Sequence, residues 1–128
     1  MNFNPKTSDE LSQLDSSELL MRLDELRDAA QKAGLEWVEA KKKYEDCQEL
    51  LPSILATYQV AIMNDKMTMA EAKARALADD GYKQNVKAMT QAQYEANLKE
   101  VEYKGLMKSL DVLTSISYVR NSELKTFR

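Results

Sequence analysis

Thirteen positions spaced four and three residues apart, from Leu19 to Ala61, carry only apolar or aromatic side chains. They are Leu19, Leu23, Leu26, Ala30, Ala33, Trp37, Ala40, Tyr44, Cys47, Leu51, Ile54, Tyr58 and Ala61. The chain is 44% hydrophobic, so thirteen positions chosen blind would all be apolar about once in tens of thousands of trials. A repeat of about 3.5 residues puts one narrow apolar stripe on a helix, which is the pattern of coiled-coil packing and of a left-handed supercoil. At about 1.5 Å per residue the stripe would be roughly 60 Å long, more than a helix of a compact domain needs. Such a chain builds rods.

Composition narrows the chemistry. A chain of 128 residues is one domain at most, and three Gly and two Pro among many Ala, Leu, Met, Glu, Lys and Gln read as nearly all helix. There is no histidine, and Cys47 is the single cysteine, which removes the usual zinc sites, thiol–imidazole pairs and serine–histidine triads. Cys47 lies on the stripe and reads as a small buried hydrophobe. Without a second cysteine no disulfide framework forms within the chain, which fits a reducing compartment. Lys6 is followed by no apolar core, so no secretory signal is expected. The longest uncharged run, Leu50 to Asn64, is too short to span a bilayer and contains Pro52. The expectation is a soluble intracellular protein.

Net charge is −3, unevenly placed. Residues 1–64 hold twelve acids and seven bases, net −5, and residues 82–128 hold five acids and eight bases, net +3. The two halves would complement each other along a hairpin or between subunits. A phosphate partner would meet local patches and no global positive field.

Helix boundaries follow from caps and breakers. Residues 1–15 read as a flexible segment in which Asn4-Pro5 opposes helix and Ser8 caps a short turn ending near Leu14. Asp15-Ser16-Ser17-Glu18 offers an acidic N-cap with Glu in the first turn, so the first long helix starts about Ser16. Gly34 weakens it by about 1 kcal/mol relative to Ala. Pro52 removes a hydrogen bond, yet Leu51, Ile54, Tyr58 and Ala61 hold the upstream frame, so a kink or two stacked helices is expected there and no reversal. The reversal is placed at 64–67, followed by the capping box Thr68-Met69-Ala70-Glu71. Ala70, Ala74, Leu77 and Gly81 continue as a stripe of small residues, and Asp79-Asp80-Gly81 reads as a local bend. Helix resumes from Tyr82 to about Ser117 with two sticky faces, Val86, Met89, Ala96, Tyr103, Met107, Leu110 and Leu113 on one, Tyr94, Leu98 and Val101 on the other. One face suits the first helix and the other a second molecule. Residues 118–128, with Tyr118, Val119, Leu124 and Phe127, form a tail, either a short helix or a docking arm.

Catalysis has little support: carboxylates at ordinary density on helix surfaces are a solvated face, and Gly34, Gly81 and Gly105 stand alone, so no phosphate loop exists. No cofactor or metal is expected and the chain reads as no enzyme. Lys41-Lys42-Lys43 spread around a helical turn before Glu45 and Asp46 and signify solubility. Lys66, Lys73 and Lys87 fall within about 60° of one another on a continuous helix, with Arg75 opposite Lys73 and Lys83 beside Lys87. With Tyr82 alongside for base stacking, they make a candidate phosphate-tracking strip. Salt-bridging lysines on a helical hairpin are the plainer reading of the same residues.

Two segments, Lys66-Met67-Thr68-Met69-Ala70-Glu71-Ala72-Lys73-Ala74-Arg75 with Tyr82-Lys83, and Tyr103 to Ile116 with its Tyr-Lys-Gly and Leu-Asp-Val-Leu elements, give the chain a resemblance to the UvsY-like recombination mediators of phages. It covers about residues 35–120. The Lys73-Ala74-Arg75 tripeptide looks like that family's basic single-strand-binding motif, although in the family it precedes the loop and here it follows the turn. Where the family has Trp before the glycine, this chain has Tyr103-Lys104. The resemblance implies a homo-oligomer that binds single-stranded DNA, displaces single-strand-binding protein and loads a recombinase.

The reading is therefore an all-α protein: a long antiparallel helical hairpin over 16–117, with coiled-coil packing and a C-terminal oligomerising helix. Its function would be that of a non-enzymatic phage or prophage recombination mediator in the bacterial cytoplasm. Lys66, Lys73, Arg75, Tyr82, Lys83 and Lys87 would meet single-stranded DNA, and Tyr103, Leu106, Met107, Leu110, Leu113 and Ile116 would hold the oligomer. The partners would be recombinase and single-strand-binding protein, with no membrane. The alternative is a helical interaction protein without nucleic acid: a phage structural protein, assembly chaperone or host-factor inhibitor working through its acidic half.

Overall fold

A computed structural model describes residues 15–126, with side chains from 15 to 123. The reading of residues 1–14, Ser8 and Leu14 included, and the side chains of Leu124 and Phe127 lie outside the described residues. Helix accounts for 93% of the described residues, and no strand occurs among them. The elements are α1 (Ser16–Ile62), α2 (Met69–Ala78) and α3 (Asp80–Thr126). No helix among the described residues is long and apolar enough to cross a membrane.

Local chemistry explains each boundary. Asp15 Oδ1 accepts a hydrogen bond from Glu18 N at 2.8 Å, and its carbonyl accepts one from Leu19 N at 2.9 Å. The carboxylate thus satisfies a first-turn donor that has no partner within the helix. α1 continues through Pro52 as one helix, because the loss of a single backbone hydrogen bond is outweighed by a face that stays half-buried at Leu51, Ile54 and Tyr58. After Ile62 the chain turns. Asn64 folds over its own backbone, its Oδ1 accepting from Lys66 N at 2.9 Å and its carbonyl from Met67 N at 3.1 Å. Thr68 then caps α2, its hydroxyl accepting from Glu71 N at 3.1 Å. The carboxylate half of the expected capping box is not formed among the described residues, and Glu71 is exposed.

Three expectations need correction. First, the bend at Asp79-Asp80-Gly81 is a one-residue break. Asp79 is extended at φ −67°, ψ 134°, donates its N–H to Ala76 O at 3.2 Å, and accepts from Lys83 N at 3.0 Å. Its Oδ1 accepts from Gly81 N at 2.8 Å, so one aspartate ends α2 and begins α3. Second, α3 does not stop near Ser117 but runs to Thr126, since 118–126 contains neither Gly nor Pro. Third, the inward line of α2 is Ala72 and Ala76, both 0% exposed, while Ala70, Ala74 and Leu77 face solvent. The turn at 63–68 re-phases the helix, so the frame set on α1 does not carry across it.

Among the described residues, contacts gather into two compact units, one within residues 1–37 with 99–128 and one within residues 38–98. In the first, Leu19, Leu23, Leu26 and Leu113 form a buried cluster against which Leu106, Leu110, Val112 and Ile116 pack. Ala30 and Ala33 are buried as the stripe continues. Beyond them the Trp37 and Tyr103 rings stack with centroids 5.4 Å apart. Gly34 explains itself here: a Cβ on it would lie 3.0 Å from Tyr103 Cε2. The glycine that weakens the helix makes room for a ring.

The unit of 38–98 is built differently. Its buried side chains are Ala72, Ala76, Ala92 and Ala96. Tyr44, Cys47, Leu51, Ile54 and Tyr58 of α1 are half-buried, as are Val86 and Met89 of α3, and Ala61, the last position of the stripe, is exposed. The helices come close where α3 starts: a Cβ on Gly81 would run into the Tyr58 hydroxyl, with Tyr58 Cζ at 2.8 Å. Asn85 Nδ2 donates to Gly81 O at 2.9 Å and steadies the same turn of helix.

Candidate nucleic-acid interface

All the candidate DNA-contacting residues fall in the unit of 38–98. They do not share one helix. Lys66 sits in the turn before α2, Lys73 and Arg75 on α2, and Tyr82, Lys83 and Lys87 on α3. The angular argument that aligned Lys66, Lys73 and Lys87 required a continuous helix, and the break at Asp79 removes that premise.

What the structure supplies is a different arrangement. Lys73 and Arg75 straddle the buried Ala72–Ala76 line of α2, each turned about 80° from it at about 100° per residue. Both are exposed. Lys83 and Lys87, four apart, share an exposed face of α3, and Tyr82 is half-buried beside them. Among the described residues none of Lys66, Lys73, Arg75, Lys83 and Lys87 forms an ion pair. The plainer reading of these residues, lysines spent in salt bridges, does not describe them.

The local field is modest. Residues 64–87 hold these five bases and four acids, Asp65, Glu71, Asp79 and Asp80. Asp79 has its carboxylate engaged by the Gly81 amide. A phosphate chain would therefore be held by individual lysine and arginine heads reaching out on long stems, a form of contact sensitive to salt.

The residues assigned to oligomerisation are placed elsewhere, and mostly committed. Leu113 is fully buried in the leucine cluster, Leu106, Leu110 and Ile116 pack against it, and Tyr103 stacks on Trp37. Met107 is half-buried. The face read as needing a second molecule stands open: Tyr94 is 58%, Leu98 50% and Val101 70% exposed.

Sequence reasoning missed Lys99. Its Nζ lies 3.1 Å from Glu36 Oε2 and 3.8 Å from Glu102 Oε2. The hydrogen bond and charge of Glu36, with the charge of Glu102, hold the ammonium above the ordinary lysine range. The signal was a stripe on α3 at four and three spacing, namely Asn85, Met89, Ala92, Ala96, Lys99, Tyr103, Leu106, Leu110, Leu113, Ser117 and Arg120, each buried or half-buried. Demanding apolar letters alone hides that frame. The comparisons with known proteins return no matching family model, no matching curated protein and no matching solved structure.

Proposed function

We propose that this chain is a non-enzymatic recombination mediator of a phage or prophage, a homo-oligomer that binds single-stranded DNA in the bacterial cytoplasm. It would help a recombinase replace single-strand-binding protein. The observation that carries the reading is the group of five exposed basic side chains, Lys66, Lys73, Arg75, Lys83 and Lys87, left unpaired among the described residues in one unit. Tyr82 adds an aromatic surface beside them. Phosphate contacts dominate and base sequence matters little.

In this reading α1 and α3 pair antiparallel as a coiled coil. Support comes from the unit of 1–37 and 99–128, where the later part of α1 meets the earlier part of α3, Glu36 with Lys99 and Trp37 with Tyr103, while Leu19, Leu23 and Leu26 share a cluster with the later Leu113. The open side chains Tyr94, Leu98 and Val101 serve the second copy, with Leu106, Leu110, Leu113 and Ile116 holding the scaffold beneath. Repetition of a weak site along an oligomer supplies affinity that one copy lacks.

The exposed Leu20, Met21 and Leu35 of α1, among its acidic side chains, favour a second reading, a protein-binding helix without nucleic acid. Fluorescence anisotropy of labelled oligo-dT at low salt, with solution mass measured in parallel, separates the two. The mediator reading expects saturable binding by an oligomer and weaker binding to a duplex of equal length. An intact oligomer that leaves oligo-dT free supports the protein-binding alternative.

A further inference from the structure

The stripe of α3 that faces inward carries two charges in the unit of 1–37 and 99–128, Arg120 near its end and Lys99, which stands between Ala96 and Tyr103. Three unlike features meet there. Lys99 pairs with Glu36 at 3.1 Å, Tyr103 stacks on Trp37 at 5.4 Å, and the Tyr103 ring lies over the bare backbone of Gly34. Neither charged side chain is in free solvent: the Lys99 side chain is 40% exposed and the Glu36 side chain 36%. A heptad seam of alanines and leucines is nearly indifferent to a slip by seven residues, since each apolar position lands on another. These three contacts are not indifferent. Seven residues either side of Glu36 stand Ala29 and Lys43, so a slipped Lys99 would face a methyl group or a like charge. Seven either side of Gly34 stand Arg27 and Lys41, and neither leaves room for a ring.

We infer that Gly34, Glu36 and Trp37 of α1, with Lys99 and Tyr103 of α3, form a register lock that selects one axial alignment of the two helices and penalises alignments one heptad away. This rests on the antiparallel pairing described above. A single polar residue at a core position is the established means by which helical seams choose one register at some cost in stability. Here a notch and a ring stack add shape to the charge. The lock also accounts for a glycine inside a long helix and for a lysine on an inward face, neither of which helps packing on its own.

The test is the distance between nitroxide labels at Gln31→Cys and Lys108→Cys, two exposed positions, in a Cys47→Ser background. With the lock intact, pulsed dipolar spectroscopy should give one narrow distance. In Gly34→Ala/Glu36→Gln/Lys99→Met, a second population should appear, displaced along the axis by about 10 Å, one heptad of helix. Glu36→Lys/Lys99→Glu/Glu102→Lys keeps both pairs with their signs exchanged and should keep the single distance. One unchanged narrow distance in the triple variant overturns the lock, and a broad or split distance in the charge-swapped protein does so too. Should the triple variant lose its helicity by circular dichroism, Lys99→Met alone decides, a second population supporting the lock and an unchanged distance ending it. A distance in the unsubstituted background too long for paired helices would instead refute the antiparallel pairing itself.

Discussion

The two units of the molecule spend their side chains in opposite ways. In residues 1–37 with 99–128 the largest fully buried side chains are Leu26 and Leu113, and Arg22, Arg27, Lys99 and Lys104 all sit in ion pairs. In residues 38–98 only alanines are fully buried, Lys43 lies 4.0 Å from Glu95, and five basic side chains around α2 stand unpaired among the described residues. Leucine burial contributes about three times what alanine burial does, on the scale of about 25 cal/mol per Å² of apolar surface. Surface ion pairs add little stability but do occupy charges. The contrast suggests a division of labour, one unit built to hold and the other with cations to offer.

The comparison breaks most readily in the leucine cluster. Leu26→Ala should cost about 2–5 kcal/mol in urea unfolding, by lost burial and the cavity left behind. A cost below about 1 kcal/mol would show that the cluster does not hold its unit. In the alanine-lined unit, Ala76→Leu should cost about 1–3 kcal/mol, because a 0%-exposed alanine leaves no space for three more carbons. Were Ala76→Leu stabilising, the close helix approach assigned to that unit would be wrong.

Much of this contrast was legible beforehand, and the failures have identifiable causes. The seam of α1 was readable because every inward letter is apolar, and its start because Asp15 stands before an acidic first turn. The seam of α3 was misread because Lys99, Asn85 and Arg120 occupy inward positions, where a search for apolar letters finds none. The break at Asp79 hinges on a carboxylate reaching one amide, and the inward face of α2 on the phase set by a six-residue turn. Both are fixed by geometry over a few ångströms, which periodicity does not encode. For the candidate interface, the sequence named the basic residues, but their lack of ion-pair partners depends on where Asp65, Glu71, Asp79 and Asp80 point.

Smaller effects sharpen the picture. Gly105, which has open space where a Cβ would go, should gain about 1 kcal/mol on Gly105→Ala. Gly34→Ala should forfeit that gain because of Tyr103, so thermal melts of the two variants should separate; equal gains would show that the notch is immaterial. The smallest effect concerns Lys99. Its folded-state value is raised by Glu36, so the stability it contributes is present below the ordinary lysine range and lost as pH rises through its folded value. Wild type should lose ground to Lys99→Met only in strongly alkaline solution, and high salt should blunt the difference.

The central claim is that the unit of 38–98 presents its unpaired cations to single-stranded DNA, and a salt titration of oligo-dT binding tests it most directly. Wild type should bind at about 50 mM salt and weaken steeply as salt rises. Lys73→Ala/Arg75→Ala should bind more weakly, with a log–log salt slope shallower by roughly 1.4, two phosphate contacts at about 0.7 each. A folded double variant with the wild-type affinity and slope, or a wild-type protein that ignores oligo-dT at low salt, would contradict it.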